Sequence, residues 1–207
     1  INHHELTLRY AAAALGNLAA LPEAQMVLAA AGAIPHLVRL ARAHDADTQR
    51  HAARAIGNLA ANASCQQEIG RSGGLRPLVK CGYSRSPELQ ELVARALVNL
   101  ALEPQLNKMI LAEGGAQLLL NLARSPHAEV AHWARVAQGN IEAAAALGPL
   151  VRHCPQDSPV EPIDMVTMSS LVSLLRSRDD LCVSAAVQRL TACAVANLCV
   201  SAHNQRL

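Results

Sequence analysis

Apolar residues return along this chain at helical spacing and in a fixed order. In Leu21–Ala61, Met26, Val27 and Leu28 follow Pro22, then Ile34, Leu37, Val38 and Leu40 follow Gly32. A polar turn with Asp45 and Asp47 comes next and leads into a third apolar stretch. The spacing predicts three helices: a short one after Pro22 that Gly32 ends, a second over Ala33–Ala43, and a third at roughly Thr48–Ala61 capped from the Asp45–Asp47 turn. The same order recurs as Ile69, Gly73-Gly74, Leu75–Val79, the turn Ser84–Pro87 and a helix over Leu89–Ala101. It recurs again as Met109-Ile110, Gly114-Gly115, Leu118–Leu122, Ser125-Pro126 and Val130–Ile141.

Two markers fix the period. One is a phrase on the third helix: Ala14-Leu15-Gly16-Asn17-Leu18, Ala55-Ile56-Gly57-Asn58-Leu59, Ala96-Leu97-Val98-Asn99-Leu100 and Ala137-Gln138-Gly139-Asn140-Ile141, with its asparagine every 41 residues. A late copy, Ala194-Val195-Ala196-Asn197-Leu198, comes 57 residues after Asn140, one period plus 16. The other marker is a corner glycine, Gly32, Gly73 and Gly114, again 41 apart. A residue at φ > 0 there would end one helix and let the next begin. The chain divides into a partial repeat 1–20, repeats 21–61, 62–102 and 103–143, an irregular repeat with a Pro-rich insertion 144–200, and the start of a further repeat 201–207. It opens and closes partway through a repeat, which reads as a piece of a longer protein. A period of about 40–47 residues with helical patterning marks a helical solenoid.

Gly32-Ala33-Ile34-Pro35-His36-Leu37-Val38-Arg39-Leu40, then a polar turn, then Gln49 through Ala60 with Ala52, Ala55 and Ile56-Gly57-Asn58-Leu59-Ala60, resembles the armadillo repeat. The likeness extends over nearly the whole chain. It implies an all-α fold, a right-handed superhelical solenoid of three-helix repeats of about 41 residues.

Composition agrees with such a fold. The chain is 51% hydrophobic but only 1% aromatic, with Tyr10, Tyr83 and Trp133 and no Phe. Cores of Ala and Leu suit closely packed helices better than sheets. No uncharged run is long enough to span a bilayer. A net charge of +2 with so few aromatics gives no case for nucleic acid. Six cysteines without a CxxC pair read as reduced, mostly buried thiols, which places the protein in the cytoplasm or nucleus. No nucleophile, phosphate-loop or metal-binding motif occurs, so neither catalysis nor a cofactor is expected.

The fourth unit departs from the pattern. Arg135 replaces Ala12, Ala53 and Ala94; Gln138 replaces Leu15, Ile56 and Leu97; Glu142 replaces Ala19, Ala60 and Ala101. Polar groups at core positions are costly unless paired. Ala143–Ile163 carries Pro149, Pro155, Pro159 and Pro162 and reads as an irregular connection that the fourth long helix faces.

In armadillo proteins the third helices line the concave side, and their asparagines hold the main chain of an extended peptide. The resemblance implies that role for Asn17, Asn58, Asn99, Asn140 and Asn197. An amide offers both a donor and an acceptor, so it can pair with a peptide group of any sequence; equally, each asparagine could tie neighbouring repeats. Residues one and two turns earlier share its face and include Arg50, Arg54, Arg95, Trp133 and Arg189. Importin-α proteins carry Trp four residues before the asparagine; here that position is never Trp. Arginine forks suit carboxylates and phosphates. The expectation is a non-enzymatic scaffold that binds an extended acidic or phosphorylated protein segment. The alternatives are a regulatory or autoinhibitory domain of a larger enzyme or signalling protein and, further off, a nuclear-import adaptor. Uncapped terminal repeats would favour self-association.

Overall fold

The computed structural model describes residues 3–152, which form ten α-helices; no strand occurs among the described residues. Helix α1 (His3–Leu18) is the third helix of a first unit. Three triplets follow: α2 (Pro22–Ala30), α3 (Ala33–Leu40) and α4 (Ala46–Leu59); α5 (Ala63–Arg71), α6 (Leu75–Gly82) and α7 (Pro87–Leu100); α8 (Pro104–Ala112), α9 (Gly115–Leu122) and α10 (Ala128–Arg152).

Local chemistry sets the boundaries. Asp45 accepts the Thr48 amide at 2.8 Å and opens α4; Asn62 does the same for α5 and Ser86 for α7. Pro22, Pro87 and Pro104 stand in the first turn, where a missing N–H costs nothing. Gly32, Gly73 and Gly114 have φ of 75°, 67° and 83°, the left-handed corner that the sequence period required.

The four long helices α1, α4, α7 and α10 pack side by side as one layer, each against the next. Small side chains let them approach: Ala12, Ala53 and Ala94, and Ala19, Ala60 and Ala101, are fully buried. A single core cluster runs through all the described units, with Ile34, Leu37, Ile56, Leu59, Leu78, Leu97, Leu100 and Leu118 among its largest members.

Two details differ from expectation. On α2, Met26 and Val27 are 48% and 67% exposed, while Gln25 is buried. Its amide bridges Ala19 O at 3.2 Å and Asn58 O at 3.0 Å, so a polar residue ties three helices where an apolar one was expected. Gln66 repeats the bond to Ala60 O at 2.9 Å. The second difference is in α10, which continues through Ala143–Leu147, Gly148 and Pro149 to Arg152. The alanine tract has the highest helix propensity available and carries the helix past the expected break. Arg135 and Glu142 are exposed on it, and Gln138 is half-buried. The remainder of the Pro-rich segment lies outside the described residues.

Candidate peptide-binding face on the third helices

The asparagine row lies on the long-helix layer, and Asn58, Asn99 and Asn140 each reach back one repeat. Asn58 Nδ2 donates to Gly16 O at 3.0 Å, Asn99 Nδ2 to Gly57 O at 3.2 Å, and Asn140 Nδ2 to Val98 O at 3.0 Å. Because the partner is a carbonyl, the nitrogen must face it, which fixes the amide orientation. The oxygens then point away from the seam. Asn17 Oδ1 accepts from Arg54 Nη2 at 2.8 Å. Asn58 and Asn99 are half-buried; Asn140 is 0% exposed, and its Oδ1 has no partner. Asn197 and Arg189 lie outside the described residues.

The arginines are more committed than the sequence implied. Arg9 pairs with Asp47 at 2.6 Å, Arg50 with Asp47 at 3.0 Å, and Arg50 with Glu88 at 2.8 Å. This ion-pair row links α1, α4 and α7. The hydrogen bond to Glu88 is the main reason that Arg50 holds its proton more tightly than usual. One unit further on, Glu91 stands where Arg9 and Arg50 stand, and Glu129 where Asp47 and Glu88 do, so the alternation ends. Arg54 spends one nitrogen on Asn17, and its buried Nε has no partner. Arg95 is the most open: its side chain is 55% exposed, lies 3.6 Å from Glu91, and sits 5.2 Å from the centre of the Trp133 ring. Trp133 also meets His132 edge to face at 5.0 Å.

Asn58, Asn99, Arg50, Arg54, Arg95 and Trp133 therefore occupy one helical layer, and Asn140 is withdrawn into it. The acidic row was missed in the sequence, although Asp47, Glu88 and Glu129 share the 41-residue step. Among the described residues no cluster of His, Cys, Asp and Glu is arranged to hold a metal ion, and no helix is long and apolar enough to cross a membrane.

Comparison with known proteins agrees with this architecture. A family model for the Armadillo/beta-catenin-like repeat matches residues 22–61 and 62–102. Among solved structures, an engineered protein is 31% identical over 91% of this chain and 72% of its own, with a TM-score of 0.64. A computationally designed armadillo repeat protein for modular peptide recognition is 26% identical, with coverage of 99% and 81% and a TM-score of 0.65. A designed armadillo repeat protein in complex with peptide (KR)4 is 22% identical, with coverage of 95% of each chain and a TM-score of 0.63, a likeness of fold alone. No curated protein matches the sequence. The fold is an all-α solenoid of three-helix repeats. The chain belongs to the armadillo-repeat family.

Proposed function

We propose that the chain is a protein-binding scaffold that holds an extended partner segment along the third-helix layer. The carrying observation is the state of the asparagines. With Nδ2 of Asn58 and Asn99 tied to the preceding repeat, each Oδ1 is an oriented acceptor with no partner among the described residues. An acceptor repeated once per unit suits the N–H groups of an extended main chain, independent of its side chains. The designed relative made for modular peptide recognition supports this use of the fold. Arg54 and Arg95 retain donors, so they favour acidic or phosphorylated side chains; Arg50, held by Glu88 and Asp47, contributes little.

The test is fluorescence anisotropy with acidic, phosphorylated and basic extended peptides, each also made with alternate amides N-methylated. Binding of the anionic peptides should drop on N-methylation, and on Arg54→Glu with Arg95→Glu by more at low salt than at high salt. Indifference to N-methylation would remove the asparagine acceptors from the mechanism. A preference for basic peptides would overturn the charge assignment.

A further inference from the structure

A second surface gathers positive charge that no lining carboxylate compensates. Where each second helix hands over to its third, clefts open at successive seams. The first, about 630 Å³, is lined by Arg42, His44, Arg76 and Lys80. The second, about 400 Å³, is lined by Arg85, Arg124 and His127. They are one site repeated: Gln49 and Gln90, 41 residues apart, occupy the same place and reach back to Ala43 O and Ser84 O, each at 2.7 Å. Tyr83, 53% exposed, lines both clefts and joins them into a track.

No carboxylate lines either cleft. Among the described residues, Arg42, Lys80, Arg85 and Arg124 have no ion-pair partner, and Arg76 meets Glu113 only at 3.8 Å. The third-helix layer, in contrast, neutralises Arg9 and Arg50 internally. Cations in a last helical turn, such as Lys80, complement the helix dipole and need no ligand to explain them. That account fails for Arg76, in the first turn of α6, and for Arg85, just ahead of the α7 cap Ser86. There a cation opposes the dipole, and its placement is locally unfavourable.

We propose that this track is a second docking surface, separate from the third-helix layer, for an extended protein segment with two acidic or phosphorylated side chains. The seams repeat at the helix-packing distance of about 8–10 Å. An extended chain covers that in about three residues, so the anionic groups belong at positions i and i+3. A single ring, Tyr83, does not supply the repeated stacking that single-stranded nucleic acid uses.

The experiment uses the full chain and fluorescent peptides with one phosphoserine, two at i and i+3, or two at wider spacing, beside a single-stranded oligonucleotide. Lys80→Glu with Arg124→Glu places one reversal in each cleft, and Lys80→Gln with Arg124→Gln is the milder pair; circular dichroism checks the fold. The i, i+3 peptide should bind tightest and lose about tenfold in affinity in the reversed pair. The neutral pair should lose less, and Arg54→Glu with Arg95→Glu, which weakens anionic peptides at the third-helix layer, should leave the preference for the i, i+3 peptide over the singly phosphorylated one unchanged. If the reversed pair misfolds, the neutral pair carries the reading. Equal binding of singly and doubly phosphorylated peptides, or oligonucleotide binding as tight as the best peptide's, would overturn the proposal. If only the Arg54 and Arg95 changes matter, the proposal falls and the third-helix reading stands. If only Lys80 and Arg124 matter, the charge assignment on the third helices falls instead.

Discussion

Asn107 stands one repeat after Gln66, at the same place on its short helix, but lacks the bond that Gln66 makes. Gln66 Nε2 reaches Ala60 O at 2.9 Å; Asn107 is 5% exposed, and neither its Nδ2 nor its Oδ1 has a partner. The difference is one methylene of reach. A buried, unsatisfied amide costs about 1–3 kcal/mol. Asn107→Gln should therefore raise stability by about 1 kcal/mol by restoring a bond toward Ala101 O, and Gln66→Asn should lower it by a similar amount. Urea unfolding of the two variants checks both signs. Destabilisation by Asn107→Gln would mean that the longer side chain does not fit the seam.

The asparagine row has a structural role as well as any binding role. Asn99→Ala leaves Gly57 O without its donor and should cost about 1–2 kcal/mol. Asn99→Asp keeps an acceptor but turns it on a carbonyl, and should cost at least as much. Asn17→Ala, at an exposed residue whose bond is to Arg54, should change stability by less than about 0.5 kcal/mol. Equal effects at Asn17 and Asn99 would show that the inter-repeat bonds carry no net stability.

His51 makes stability depend on pH. Burial lowers its pKa from 6.5, and Arg50 and Arg54 push the same way, against a smaller opposing effect of Asp47. The unfolded chain then takes up the proton at a higher pH than the folded one. Stability is present above the unfolded value of 6.5 and is lost as pH falls below it toward the folded value. The melting temperature should drop between about pH 7.5 and pH 5.5, and His51→Gln should flatten part of that slope. Identical slopes in the two proteins would contradict the assignment.

What could be read from the sequence followed from rules that act along the chain. The corner glycines, the Asp45 cap and the asparagine phrase each satisfy a local backbone requirement, so their 41-residue step revealed the repeat before any contact was known. Gln25 and Gln66 share that step but were passed over, because hydropathy sends a glutamine to the surface and Met26 and Val27 to the core. Arg50 has less capacity for an outside anion than its sequence position implies, for a related reason. Its neutralising partner Glu88 is 38 residues away and meets it only once α4 and α7 are laid together. At Pro149 the alanine tract prevails over the proline signal, and the helix continues. The basic track is dispersed in the same way: Lys80 and Arg124 line adjoining clefts only because the helix-three junctions stack.

Cys81 should be chemically silent in the folded protein. Its thiol is buried, donates to Ala41 O at 3.3 Å, and has its pKa pushed up to about 11 by loss of solvent, against a small opposing effect of Lys80. Alkylation requires the thiolate, which at pH 8 is then about one part in a thousand of the group. Cys65 is also buried, with its pKa raised for the same reason. Mass-spectrometric mapping after native labelling with iodoacetamide should find both residues unmodified, and labelling in urea should modify both. Heating toward the melting transition should expose them together, because they lie in one core cluster that opens cooperatively. Rapid native labelling of Cys81 alone would instead show that the seam between α3 and α6 opens independently of the rest. The cleft that Arg42 and Lys80 line would then widen without global unfolding.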